Sequence, residues 1–213
     1  MKLEKIQRLG GFAVIIGAVL LAAWSILHTI LLPNFAHGSD ITPLILNPHF
    51  CWLELTALLA VLFLVFGFAA IYSRFYSSSG VLGFIGYVFV TLAYILQIAN
   101  SAWALLIFPL LAKHELLYPL FGGKIYFNDT GILIFQNMFL AVMLIGVVTF
   151  SIALIRSREF SKISGILFLT GVVLYGIGPM ISEYVAVFGV FILASGCALL
   201  GLRLLRPSIE KAN

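Results

Sequence analysis

The sequence predicts an all-α integral membrane protein, a bundle of six transmembrane helices, and three observations carry that expectation. Of 213 residues, 62% are hydrophobic and only 9% carry charge. Mean hydropathy is +1.16, and one soluble core cannot hide that much apolar surface. Charge-poor runs also recur at membrane length, since a helix needs roughly 20 residues to cross about 30 Å of hydrocarbon. The expected spans lie at about residues 9–33, 50–73, 80–108, 131–155, 161–178 and 182–204, in a single transmembrane domain covering 1–213.

The first span follows Lys2, Lys5 and Arg8. Its apolar stretch is longer than the core of a secretory signal, and no small-x-small site follows where cleavage would need one, so it reads as a span. The second opens with NPHFCWLELTALL, residues 47–59, and ends at Tyr72-Ser73-Arg74. The third starts after the polar turn SSSG, the fourth with GILIFQNMFL, the fifth with KISGIL, and the sixth follows Ser182-Glu183. Two longer connections, residues 34–48 and about 109–130, join spans on one side. In the second, Pro109, Pro119, Gly122 and Gly123 interrupt the aromatics, which predicts broken helix at a membrane interface.

Basic residues set the orientation. Lys2, Lys5, Arg8, Arg74, Arg156, Arg158, Lys162, Arg203, Arg206 and Lys211 fall on one side, against Lys113 and Lys124 on the other. With Glu4, Glu159 and Glu210 on the first side, and Asp40, Glu54, Glu115, Asp129 and Glu183 on the second, the sides carry +7 and −3, which give the chain's +4. The positive-inside rule then predicts both termini in the cytoplasm. The basic pI of 9.2 reads as membrane orientation and implies no nucleic-acid partner.

The odd spans open alike, in RLGGFAVIIG, SRFYSSSGVLGFIG and SREFSKISGILFLTG, and the even spans close alike, in FGFAAIYSR, TFSIALIRSR and LLGLRLLR. We read three tandem helical hairpins, parallel because every odd span runs outward; the competing reading is that helices leaving a basic turn simply look similar. The glycine-rich helix faces also suit homo- or hetero-oligomer contacts.

Polar residues inside the spans are the candidates for function, because hydrocarbon tolerates them mainly where partners or water satisfy them. Counting about 1.5 Å per residue from the outer ends puts His28, Glu54, Gln97 and Gln136 in one layer. Asn100, Asn137, His49 and Glu183 lie near it, so the candidate ligand-binding set is Glu54, His28, His49, Gln97, Asn100, Gln136, Asn137 and Glu183. His28 shares a helical face with Gly10 and Gly17, and Gln97 with Gly86, Ala93, Ser101 and Ala104, which turns both toward other helices. Glu54 has two readings: an interfacial carboxylate that reaches water, or a ligand group for a proton or cation. His49 is about 140° around the helix from Glu54, so the two do not pair on one face. Trp24, Trp52 and Trp103 read as an interfacial aromatic belt.

No catalytic residue is expected and the reading leans away from an enzyme: Cys51 has only His49 nearby, with no nucleophile motif. No cofactor is expected either. Metal or haem, if bound, would fall to His28 and His49, which sit on consecutive spans, yet HExxH, CxxCH and paired histidines on one helix are all missing. Cys51 and Cys197 lie at different depths, which argues against a disulfide.

RLGGFAVIIG, His28, NPHF, IYSR and SREFSKISGIL give the chain a resemblance. It resembles the small six-helix multi-pass proteins of bacterial and archaeal plasma membranes, and that resemblance implies the fold and a prokaryotic plasma-membrane address but no activity. The sequence thus leads to an outward-facing polar pocket binding a small molecule or ion, for transport or sensing, with the lipid bilayer as its other partner. Two readings stand beside it: an accessory subunit whose polar groups satisfy one another, and a membrane-embedded enzyme or haem protein acting on a lipid or quinone.

Overall fold

The computed structural model describes residues 3–33, 41–114 and 130–206, apart from the side chains at 130–133, 136, 179 and 180. All the regular structure in those residues is helical. The elements are α1 (Leu3–Leu31), α2 (Thr42–Ile45), α3 (Phe50–Leu106), α4 (Phe108–Lys113), α5 (Thr130–Arg156), α6 (Lys162–Ile181) and α7 (Glu183–Leu205). Of the connection expected as broken helix, α4 is described, with Pro109 in its first turn; residues 115–129 lie outside the described residues.

Among the described residues, four helical stretches are long and apolar enough to cross a membrane: α1, Phe50–Lys113, Asn137–Arg156 and α7. The apolar part of α6, Lys162–Gly178, is shorter. Phe50–Lys113 forms two antiparallel arms, because α3 reverses at Gly80. Tyr72 and Tyr87 stack with centroids 4.5 Å apart and planes 4° apart, whereas a straight helix would hold them about 22 Å apart. Phe68 and Tyr94 also meet across the bend, at 5.2 Å. Gly80 has φ 57° and ψ −158°, a region that side-chain-bearing residues avoid, and it turns the helix without a loop. Six arms therefore fit the six expected spans.

Local chemistry explains the other ends. Ser161 caps α6 by accepting from the Ile163 amide at 3.3 Å, and Ser182 caps α7 by accepting from the Tyr184 amide at 3.2 Å. Ser182 is extended (ψ 144°), so one residue separates α6 from α7. Helix α1 begins at Leu3, six residues before its expected apolar span, because Lys5 and Arg8 cost a helix nothing outside hydrocarbon.

The six arms close into a ring in chain order, held by glycines where backbones meet. Gly10 meets Ala70 and Gly67 meets Val14, joining α1 to the first arm of α3. Gly86 meets Phe150 and Gly146 meets Val90, joining the second arm to α5. Gly165 meets Ile155, Gly171 meets Leu193, and Gly11 meets Gly201, which brings α7 back onto α1. Each of these neighbours runs antiparallel to the next. Large apolar side chains cover the exterior, among them Phe12, Val19, Phe66, Val81 and Phe188, as a hydrocarbon surrounding allows.

Candidate functional site

The ring is packed solid in the half that holds the basic turns. Phe68 meets Phe150 at 5.7 Å and Phe168 at 5.5 Å, and Phe75 meets Phe150 and Phe160, both at 5.7 Å, all edge to face. In the opposite half the helices part around a partly open cavity of about 230 Å³. Every arm contributes to its wall. Trp24 and Leu21 come from α1, Glu54, Ala57 and Val61 from the first arm of α3, and Val90, Ala93, Tyr94, Gln97, Asn100 and Ser101 from the second. Phe139, Met143 and Val147 come from α5, Val172 and Tyr175 from α6, and Val190 and Leu193 from α7. The spacings 54, 57, 61 and 139, 143, 147 put each set on one helical stripe. Tyr94, against Phe68, forms the boundary with the packed half.

The cavity is mostly apolar, with Glu54, Gln97, Asn100 and Ser101 grouped at one end. Glu54 is half-buried there. Trp24 and Tyr175 line the same cavity, and the Trp24 Nε1 is buried without a hydrogen-bond partner. Ser101 is 1% exposed and its Oγ has no partner. A helical hydroxyl's default is a carbonyl one turn back, yet Thr91, Ser151 and Ser157, away from the cavity wall, also lack a partner. Thr29 takes that default, donating to the Ser25 carbonyl at 3.0 Å, as does Thr56 to the Trp52 carbonyl at 2.9 Å. A largely apolar cavity with one carboxylate and two side-chain amides on its wall can receive a ligand that carries both apolar and polar parts.

The structure brings three of the sequence candidates, Glu54, Gln97 and Asn100, onto one wall. His28 sits behind it, its ring 5.3 Å from that of Trp24, and does not line the cavity. His49 is exposed at the start of α3, with its amide donating to Asn47 Oδ1 at 2.9 Å. Glu183 is exposed in the first turn of α7, and Asn137 is exposed on α5, outside the wall. The Gln136 side chain lies outside the described residues.

Sequence reasoning missed Trp24, Tyr94, Tyr175 and Ser101 as wall residues. Trp52 and Trp103 do face outward, but Trp24, expected with them in an aromatic belt, turns inward. The available signal was its spacing: Trp24 lies seven residues beyond Gly17, on the face that packs against α3.

The other end of the ring is tied by a second polar group. Arg74 is buried and donates through Nη1 to Gln7 Oε1 at 3.1 Å, while its Nε lies 3.5 Å from Glu159 Oε2. Arg203 Nε donates to the Glu159 carbonyl at 2.8 Å. Helix α1, the first arm, the α5–α6 turn and α7 are joined there.

Among the described residues no three His, Cys, Asp or Glu side chains are grouped to hold a metal ion, and both cysteines are free, Cys51 exposed and Cys197 buried. Comparison with protein-family models, curated proteins and solved structures returned no match for this chain.

Proposed function

We propose that this chain is a plasma-membrane protein of six spans with both termini cytoplasmic, whose outward-facing cavity binds a small molecule for transport or sensing. One observation carries the reading: about 230 Å³ of space between the six arms, walled by Glu54, Gln97 and Asn100 among apolar side chains. An accessory subunit whose polar groups satisfy one another needs no such space, because protein interiors are otherwise close-packed.

The orientation rests on the basic turns, and it puts the cavity on the outer side and the phenylalanine packing on the inner. The three tandem hairpins rest on the basic-turn and glycine signatures that recur along the sequence, and the antiparallel pairing of α1 with the first arm, the second arm with α5, and α6 with α7 is compatible with them. Transport requires the packing around Phe68 and the Arg74 group to part, whereas sensing requires only that they feel occupancy.

The test is ligand-dependent thermal stabilisation of the purified protein, screened over small amphiphiles. Glu54→Gln keeps the side chain's size, and it should leave the unliganded melting temperature near that of the wild type while abolishing the stabilisation. Equal stabilisation of the two proteins would place the ligand elsewhere.

A further inference from the structure

We propose that the ligand of this cavity is a small organic ammonium ion with an apolar or aromatic body, held by Glu54 as its counter-charge. This rests on the cavity being a binding site and adds the chemical class of what enters.

The first argument is charge. Among the described residues Glu54 is the only acidic wall residue, and no Lys, Arg or His lines the cavity. An anionic ligand would meet a carboxylate with nothing to offset it, in surroundings where like charges repel strongly. A cation is the partner that the carboxylate lacks.

The second is the kind of cation. A bare calcium ion takes 6–8 oxygen ligands and magnesium keeps a near-octahedral shell of oxygens. This wall offers oxygens only from Glu54, Gln97, Asn100, Ser101 and the tyrosines, set among valines, alanines and Met143. The volume equals roughly seven or eight waters at about 30 Å³ each, far more than a dehydrated metal ion fills. An ammonium ion needs a few acceptors around its N–H groups, which Glu54, Gln97 and Asn100 on the wall supply, and its carbon body suits the apolar remainder.

The third is the aromatic lining. Trp24 on α1 and Tyr175 on α6 line the same cavity as Glu54. Indole and phenol faces attract cations by about 0.5–2 kcal/mol each when water is excluded. The carboxylate and the rings therefore select for the same charge.

The experiment compares phenethylammonium, phenethyl alcohol and phenylacetate, which share a ring and chain and differ in charge. Binding is followed by Trp24 fluorescence in a protein carrying Trp52→Phe and Trp103→Phe, and by titration calorimetry. The ammonium ion should bind at least roughly tenfold more tightly than the alcohol, with no binding of the carboxylate. Glu54→Gln should erase that preference, and Glu54→Asp should keep it. If the alcohol binds as tightly as the ammonium ion, or Glu54→Gln retains the preference, the cation assignment fails while the cavity survives as a binding site. If none of the three binds, both fail. Because the comparison of probes is made on unaltered Glu54, a misfolded variant does not rescue the proposal.

Discussion

Arg74 Nε lies 3.5 Å from Glu159 Oε2, and the two ends of that pair differ in burial: the arginine side chain is 4% exposed and the glutamate 40%. The cost of breaking it therefore depends on which residue is changed. Arg74→Met leaves Gln7 Oε1 without its donor inside the bundle, and it should destabilise the protein by about 1–3 kcal/mol. Glu159→Gln alters a carboxylate already half in water and should cost less than about 1 kcal/mol. Thermal unfolding in detergent checks the order, and a Glu159 variant as damaging as the Arg74 variant would mean that the ion pair, rather than the Gln7 bond, holds this end.

The glycines of the ring should not respond alike. At Gly86 an added Cβ would stand 2.5 Å from the Phe150 amide nitrogen, so Gly86→Leu should separate two helices and cost about 1–3 kcal/mol. At Gly176 nothing lies within 4 Å, and alanine there should be neutral or stabilising by up to about 1 kcal/mol. At Gly80 space is equally open, yet φ of 57° makes Gly80→Ala costly by about 1–3 kcal/mol. Melting temperatures of the three variants separate steric from torsional causes.

Phe68 touches Tyr94, Phe150 and Phe168 and is fully buried. Phe68→Ala should cost about 3–5 kcal/mol and extend the cavity toward the basic end. Under the transport reading it should also raise leakage of a bound probe through the protein in vesicles. Unchanged leakage in a folded variant would favour sensing.

The native thiols test the topology. In oriented membranes an impermeant maleimide applied outside should label exposed Cys51 and leave buried Cys197 untouched until the protein is denatured. A cysteine placed at Ser78, beside the Gly80 bend, should react only from the cytoplasmic face. Labelling of Ser78→Cys from outside would invert the orientation.

The sequence by itself determined the helical class, the six arms and their approximate ends, because hydrocarbon length and the cost of charge act on each segment independently of its neighbours. Lys5 and Arg8 mark the start of a span without reference to the rest of the chain. It also pointed to Glu54, Gln97 and Asn100, since an ionisable or amide group in an apolar run demands a partner wherever the run is placed. What tertiary structure decided is which faces meet. Ser101 shares the face of Gln97 and Trp24 that of Gly17, which turns both toward other helices without saying that a cavity opens there; Trp24 could equally have joined Trp52 and Trp103 at the surface, and Ser101 could have bonded to its own helix. The closure of α7 on α1 through Gly11 and Gly201 fixes the inward face of α1, and with it Trp24. Likewise Arg74 and Glu159, read along the chain as two charges at cytoplasmic turns, become partners only when the first arm of α3 and the α5–α6 turn are brought together. Helix rotation is set by side-chain packing between segments distant in sequence, and no single segment contains that information.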